Sequence, residues 1–401
     1  MAKKISTLTF EIVSGIVVTT TLFYYKCAWT LFSLLRPNWI SWNNYSEPML
    51  RNIEKKIFKI LKVPYRGWYV DIGPVVGPAD KIWTISLNTE SKKTPLVLLH
   101  GLGAGVALWC LNLDAFAATR PVYAFDLLGF GRSSRPTYSS DSLEVEQQMV
   151  NSVEEWRKEM KLEKFIFLGH SLGGFLATSY AIMYPHRVQH LILADPWGFP
   201  ESPPDYHDLP LWVRALSYVL TPFNPLTAIR VAGPAGPWFI NTIRPDISKK
   251  YAGVLDDDLI PNYIYQCNSQ TPSGESGFHT MMSGFGWAKN PMVKRIHKLR
   301  EDVPITLLYG SRSWVDHSAT DVIKAMRYKS YFKWKVIPSA GHHVYADKPE
   351  LFNQIVLKSC AFADGEESEL EDETYGDKIP QTDLTQKYSF TSFQSGDDDA
   401  K

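Results

Sequence analysis

The stretch Phe165-Ile166-Phe167-Leu168-Gly169-His170-Ser171-Leu172-Gly173-Gly174 constrains this chain more than any other. Its first four residues form a short apolar run of large side chains, the pattern of a strand buried on both faces. The run stops at Gly169, and Phe175-Leu176-Ala177-Thr178-Ser179-Tyr180-Ala181 reads as a helix. Between strand and helix lies Gly-x-Ser-x-Gly. A serine on so tight a turn projects its hydroxyl out of the fold, and the flanking glycines let neighbouring backbone pass without a Cβ clash. The amides that open the helix point at the same spot, where they favour negative charge developing on an oxygen. Ser171 is therefore a candidate nucleophile.

The rest of the middle of the chain supplies what such a turn needs. Strand signals begin at Trp68-Tyr69-Val70 and Ile82-Trp83-Thr84-Ile85, followed by the continuous apolar runs Pro95–Leu99 and Val122–Phe125. Ser142–Lys161 reads as an amphipathic helix that leads into the serine strand. Strand, helix, strand, turn and helix thus alternate, as a doubly wound, mostly parallel sheet requires. A further buried strand, Val188–Ala194, ends at Asp195. From about residue 201 to residue 300 the alternation is lost. Pro203, Pro204, Pro222, Pro225, Pro234 and Pro237 break this region into short helices, as in a lid insertion. The apolar face of Leu209–Leu220, with Trp212, Leu216, Val219 and Leu220, is expected to cover the core or to meet lipid. The sheet resumes with Ile305–Gly310 and Phe332–Ile337, and a last helix runs from about Lys348 to Cys360.

A serine hydroxyl needs a base to take its proton and a third group to orient that base. In the α/β-hydrolase fold these follow in the order Ser, acid, His, each on a loop after a strand. His342 follows the last strand, and Asp316 follows the strand before it. Position in this order favours Asp316 as the acid, with Asp195 as its rival; His343 is the rival base. His100-Gly101-Leu102-Gly103 follows the strand Pro95–Leu99, where such folds place a second oxyanion donor. The expected donors are the amides of Leu172 and of Leu102 (or Gly103). Asp126 and Arg132 are expected to brace their loop. Gly129-Phe130-Gly131 does not complete a dinucleotide-binding pattern, so no nucleotide cofactor is expected. His342 and Asp347 also form His-x4-Asp, an acyltransferase signature. Asp347-Lys348-Pro349-Glu350 ahead of an apolar helix has a simpler reading as a capping box, with Asp347 at the N-cap.

The ends of the chain are of other kinds. Ile12–Leu35 is apolar apart from Lys26, and with that lysine snorkelling it is long enough to anchor the chain in a membrane, spanning it or lying in its interface. Arg36, Arg51, Lys55, Lys56, Lys59 and Lys62 follow it, against Lys3 and Lys4 before it, which places the C-terminal part in the cytosol. Asn44-Tyr45-Ser46 is a glycosylation sequon that only the opposite orientation would use. Asn52–Lys62 spaces Ile53, Ile57, Ile60 and Leu61 as one helix face, with four lysines on the other. Such a helix lies on a membrane surface or packs on the fold. Formal charge is zero over 401 residues, but Asp364–Lys401 holds twelve acidic residues against three lysines, a net of −9. The remainder carries about +9, which suits anionic membrane surfaces rather than a nucleic acid. The acidic tail cannot bury a core and is expected to be disordered. Cys27, Cys110, Cys267 and Cys360 match neither a metal nor a redox spacing. The expected organisation is an anchoring segment over 1–36, a basic amphipathic linker over 37–66, one α/β domain over 67–363 with a lid at about 201–300, and the tail over 364–401.

The stretches RPVYAFDLLGFGRSSRP, FLGHSLGGFLATSYAIMYPHRVQHLIL, DPWGFPE, TPFNPL, YIYQCNSQTPSGE, FGWAKNPM and HHVYADKPE resemble the abhydrolase-domain subfamily of types four and five, within the α/β-hydrolases. The resemblance covers about Trp68 to Cys360, lid included. That subfamily contains a phospholipid N-acyl hydrolase and a lipid-droplet co-activator of a lipase. The resemblance implies a catalytic triad of Ser171, Asp316 and His342 acting on acyl or N-acyl bonds of (lyso)phospholipids, without metal or cofactor. It also implies acylation of lysophosphatidic acid through His342 and Asp347, or a lipase or droplet-coat protein as partner. Expected locations are the endoplasmic reticulum, lipid droplets or the mitochondrial surface. In the co-activator branch the nucleophile position is an asparagine. Here it is Ser171, which favours catalytic competence.

Overall fold

The computed structural model describes residues 45–202, 226–284 and 286–366. The anchoring segment expected at Ile12–Leu35, the lid residues Trp212, Leu216, Val219 and Leu220, and the acidic tail beyond residue 366 lie outside the described residues. No helix among the described residues is long and apolar enough to cross a membrane.

Among the described residues ten strands form in chain order: β1 (Tyr65–Gly73), β2 (Asp80–Leu87), β3 (Leu96–Leu99), β4 (Val122–Phe125), β5 (Phe165–His170), β6 (Val188–Ala194), β7 (Met282–Ser283), β8 (Trp287–Ala288), β9 (Ile305–Gly310) and β10 (Phe332–Ile337). Eight of them build one sheet in the order β1-β2-β4-β3-β5-β6-β9-β10. The pairs β1/β2 and β2/β4 are antiparallel, and every pair from β4/β3 to β9/β10 is parallel.

The apolar runs are explained by cover on both faces. Along β3, Leu96 and Leu98 enter one core while Val97 and Leu99 enter the other. Along β5, Ile166 and Leu168 face the first and Phe165 and Phe167 the second. A strand with a core on each side meets apolar surroundings on both faces, which favours apolar residues at successive positions. The helix Pro349–Ala363 closes the first face with Phe352, Ile355 and Val356. The helix Ser142–Glu159 closes the second with Val145, Met149, Val153 and Trp156. Its start is fixed by Asp141, whose carboxylate accepts from the amides of Leu143 at 3.0 Å and Glu144 at 2.9 Å; such a cap contributes about 1 kcal/mol.

The N-terminal helix Glu47–Ile57 settles one alternative. Its apolar face, Leu50, Ile53 and Ile57, is buried in the first core, so that face packs on the fold and not against lipid. Arg132 pins it. The guanidinium bonds Glu54 at 2.8 Å and Glu47 at 3.2 Å and stacks 3.5 Å over the Trp83 ring. Between β6 and β9 the insertion forms the short helices Thr227–Val231, Gly236–Ile243, Pro245–Tyr251, Leu259–Asn268 and Gly274–Met281. Cys110, Cys267 and Cys360 are buried free thiols.

Register brings the site together. Leu99 pairs with Gly169, His170 with Ala194, and Ala194 with Leu308, so β3, β5, β6 and β9 end at one level. The chain runs from β3 to β4 on one side and returns to place β5 on the other. This reversal is a switch point, at the carboxyl end of which open α/β sheets place their sites.

Candidate active site

Ser171 lies between β5 and the helix Leu172–Met183 with φ 53° and ψ −120°, a left-handed-side conformation that a non-glycine residue adopts at a cost of about 1–3 kcal/mol. The strain persists because neighbours fix the turn. Ser171 N donates to Ala194 O at 3.1 Å, and Ser171 O accepts from Gly174 N at 3.0 Å and Trp197 N at 3.1 Å. Glycine at 173 is obligatory, since a Cβ there would stand 2.5 Å from the carbonyl oxygens of both Leu99 and His100. This contact presses the start of the helix against the end of β3.

The hydrogen bonds of the two ring nitrogens of His342 define the chemistry. Nε2 lies 3.0 Å from Ser171 Oγ, and Nδ1 lies 2.6 Å from Asp195 Oδ2. Asp195 is fully buried and also accepts from Gly310 N at 3.2 Å and from the Ser313 hydroxyl. As a carboxylate Asp195 can only accept, so His342 Nδ1 must be the donor in their contact. The imidazole therefore carries its proton on Nδ1 and turns the Nε2 lone pair to the serine. Burial pushes the His342 pKa down to about 3, and the nearby Arg244 and Lys250 charges act in the same direction. Burial pushes Asp195 up to about 7, against the pull of its hydrogen bonds from Ser313 and Gly310. The resting pair is a neutral base beside a buried acceptor.

Asp195, the rival acid, occupies the position expected of Asp316. Asp316 turns away: its carboxylate accepts from Ser318 N at 2.8 Å and from Ser318 Oγ at 3.0 Å, closing a local turn before the helix Thr320–Met326. From the same loop, Trp314 reaches the imidazole, with ring centroids 4.8 Å apart. Chain order alone does not separate the ends of β6 and β9, which are adjacent strands. The available signal was Asp195 directly at the carboxyl end of β6.

Asp347 is also corrected. It does not cap the last helix, whose N-cap residue is Lys348 without a side-chain cap bond. Its Oδ2 instead accepts from Gly341 N at 2.9 Å and lies 3.3 Å from Lys250 Nζ. His343 is not the base; its Nδ1 faces Lys250 Nζ at 3.4 Å. His170 was not singled out from sequence. Buried beside the serine, it meets the His342 carbonyl through Nε2 at 2.9 Å. Its partner is distant in sequence, and nothing local marks the contact.

Leu172 N is the first amide of its helix, where a donor has no intrahelical acceptor. The glycine loop comes as close: a Cβ added to Gly101 would stand 2.8 Å from the Ser171 Cβ, so Leu102 follows immediately beside the serine. His100 is structural, accepting from Leu127 N at 3.0 Å. Asp126 braces the loop as expected, accepting from Val106 N and Arg132 N at 2.8 Å each.

A serine on a strained strand-to-helix turn, a neutral imidazole at its hydroxyl and a buried carboxylate behind can together form and hydrolyse an acyl-serine. The comparisons agree with this class. The profile of a family described as "alpha/beta hydrolase fold" matches residues 94–349, and the chain belongs to that family. The mouse protein named "(Lyso)-N-acylphosphatidylethanolamine lipase" is 49% identical over 323 residues, covering 80% of this chain and 93% of the relative. The mouse "1-acylglycerol-3-phosphate O-acyltransferase ABHD5" is 50% identical over 320 residues, covering 79% and 90%. Among solved structures, naproxen esterase (carboxylesterase NP) from Bacillus subtilis shares the fold at 21% identity with a TM-score of 0.56, covering 78% of this chain and 98% of the esterase.

Proposed function

We propose that the chain is a serine hydrolase of (lyso)phospholipid acyl or N-acyl bonds. The observation that carries this reading is His342 bridging Ser171 and Asp195 at 3.0 and 2.6 Å. Ser171 Oγ attacks the acyl carbonyl carbon as its proton passes to His342 Nε2. Asp195 stabilises the imidazolium that forms, and the amides of Leu172 and Leu102 receive the negative charge on the carbonyl oxygen. The imidazolium protonates the departing alcohol or amine, leaving an acyl-serine. Water, deprotonated by the same Nε2, attacks that ester, and the proton returns to Ser171 as the carboxylic acid leaves. The lipid class is supported by relatives about half identical along nearly their whole length, one of them named as an N-acyl-phospholipid lipase.

A lysolipid hydroxyl entering in place of water makes the same site an acyltransferase, a reading favoured by the relative of that name. A co-activator of a separate lipase is the reading of another class, and a serine furnished with its base weighs against it. Residues 12–35 would hold the domain at a lipid surface with the site on the cytosolic side.

The test is covalent labelling by a fluorophosphonate, followed by profiling of released fatty acids from N-acylphosphatidylethanolamine and its lyso form. Labelling and release by the wild type and neither by Ser171→Ala is the expected result. An unlabelled, folded wild type would sink the proposal, and Ser171→Ala retaining its effect on cellular lipid storage would favour the co-activator.

A further inference from the structure

The turn that carries His342 is gripped by groups outside the Ser171–His342–Asp195 chain. The His342 carbonyl is held by His170, and the amide one residue earlier, Gly341 N, donates to Asp347 Oδ2 at 2.9 Å. The same oxygen lies 3.3 Å from Lys250 Nζ. Lys250 belongs to the helix Pro245–Tyr251 of the insertion, and its other neighbours are Asp246 at 3.4 Å and His343 Nδ1 at 3.4 Å. With 9% of its side chain exposed, Lys250 is itself fixed. Both ring nitrogens of His342 are already committed, Nδ1 to Asp195 and Nε2 to Ser171.

We propose that Asp347 is a positioning residue for His342, acting through the Gly341 amide, and that Lys250 holds its carboxylate in place from the lid. The proposal rests on the serine-hydrolase reading above. It gives the His-x4-Asp spacing a role other than a proton relay or a helix cap. The physical need is clear. Gly341 is the least sterically restricted residue of the turn, and it directly precedes the base. An acceptor fixed on its amide removes that freedom, because the hydrogen bond ties the turn to Asp347. Reach matters because the base must stay within hydrogen-bond distance of Ser171 Oγ.

The experiment uses the full chain as wild type, Asp347→Asn and Asp347→Ala. It measures kinact and KI for a fluorophosphonate, thermal unfolding, and hydrogen exchange at the Gly341 amide. Asparagine keeps a carbonyl oxygen that can serve both Gly341 and Lys250, which converge on one oxygen; alanine keeps none. Expected for Asp347→Ala is a fall in kinact of roughly 100-fold, the scale of a 1 Å misplacement of a reacting group, with KI unchanged and Gly341 exchange faster. Asp347→Asn should keep kinact within about threefold, as a swap that preserves the hydrogen bond should. An asparagine variant that falls as far as alanine overturns the proposal, because charge rather than the amide contact would then matter. So does an alanine variant with wild-type kinact or unchanged Gly341 exchange. If alanine does not fold, Asp347→Asn is judged against wild type: a kinact lower by more than about threefold, or faster Gly341 exchange, overturns the proposal. A wild type that is not labelled defeats the hydrolase reading instead, and Gly341 exchange still tests the contact itself.

Discussion

Replacing Asp195 by asparagine tests the assignment of the acid most directly. The carboxylate uses both oxygens: Oδ1 takes Gly310 N at 3.2 Å, while Oδ2 takes His342 Nδ1 at 2.6 Å and the Ser313 hydroxyl. The Gly310 amide can only donate, so the asparagine must keep its oxygen there and turn its NH2 to His342. Nδ1 then becomes the acceptor, and Nε2 carries the proton towards Ser171. The base faces the nucleophile with a hydrogen instead of a lone pair. The same carboxylate-to-amide change in a serine protease triad lowers kcat by about 10⁴, or about 5.4 kcal/mol of barrier at 1.36 kcal/mol per tenfold. The assay is the second-order rate of fluorophosphonate labelling, with thermal unfolding to show that the fold persists. Asp195→Asn should lose about four orders of magnitude. Asp316→Asn can still accept from Ser318 N and should stay within about threefold. A loss confined to Asp316→Asn, with Asp195→Asn active, would refute the reasoning.

Two further outcomes follow from the same geometry. The first proton taken up by the Asp195–His342 pair disables the base, whichever partner holds it. Burial raises Asp195 to about 7, so labelling should be full above that pH and fall as the pH drops through it; a rate flat from alkaline to mildly acidic pH would contradict this. The positive φ of Ser171 predicts that Ser171→Gly, while unlabelled, unfolds at a higher temperature than Ser171→Ala, because glycine relieves a strain of about 1–3 kcal/mol that alanine keeps. Equal melting temperatures for the two variants would show that the elbow is not strained.

Much of this protein is determined by local pattern. The runs Leu96–Leu99, Phe165–Leu168 and Leu191–Ala194 read as doubly covered strands because their successive residues enter the two cores in alternation. Gly-x-Ser-x-Gly reads as the elbow because the close passage of backbone at Gly173 leaves no room for a side chain. His342 is legible for a similar reason, since one loop after the last strand must bring the base.

Tertiary structure decided what depends on neighbours. Asp195 and Asp316 each follow a strand, and β6 and β9 lie side by side with Ala194 opposite Leu308, so chain order fits both. The choice was made by where the loops turn: Asp316 satisfies its carboxylate on Ser318, and Asp195 has Gly310, Ser313 and His342 converging on it. Asp347 fits a capping box in sequence, but the tertiary contacts offer it the Gly341 amide and Lys250 instead. Elements follow from each residue's own preferences and periodicity. The acid and the supports of the base follow from long-range partners, which no local pattern encodes.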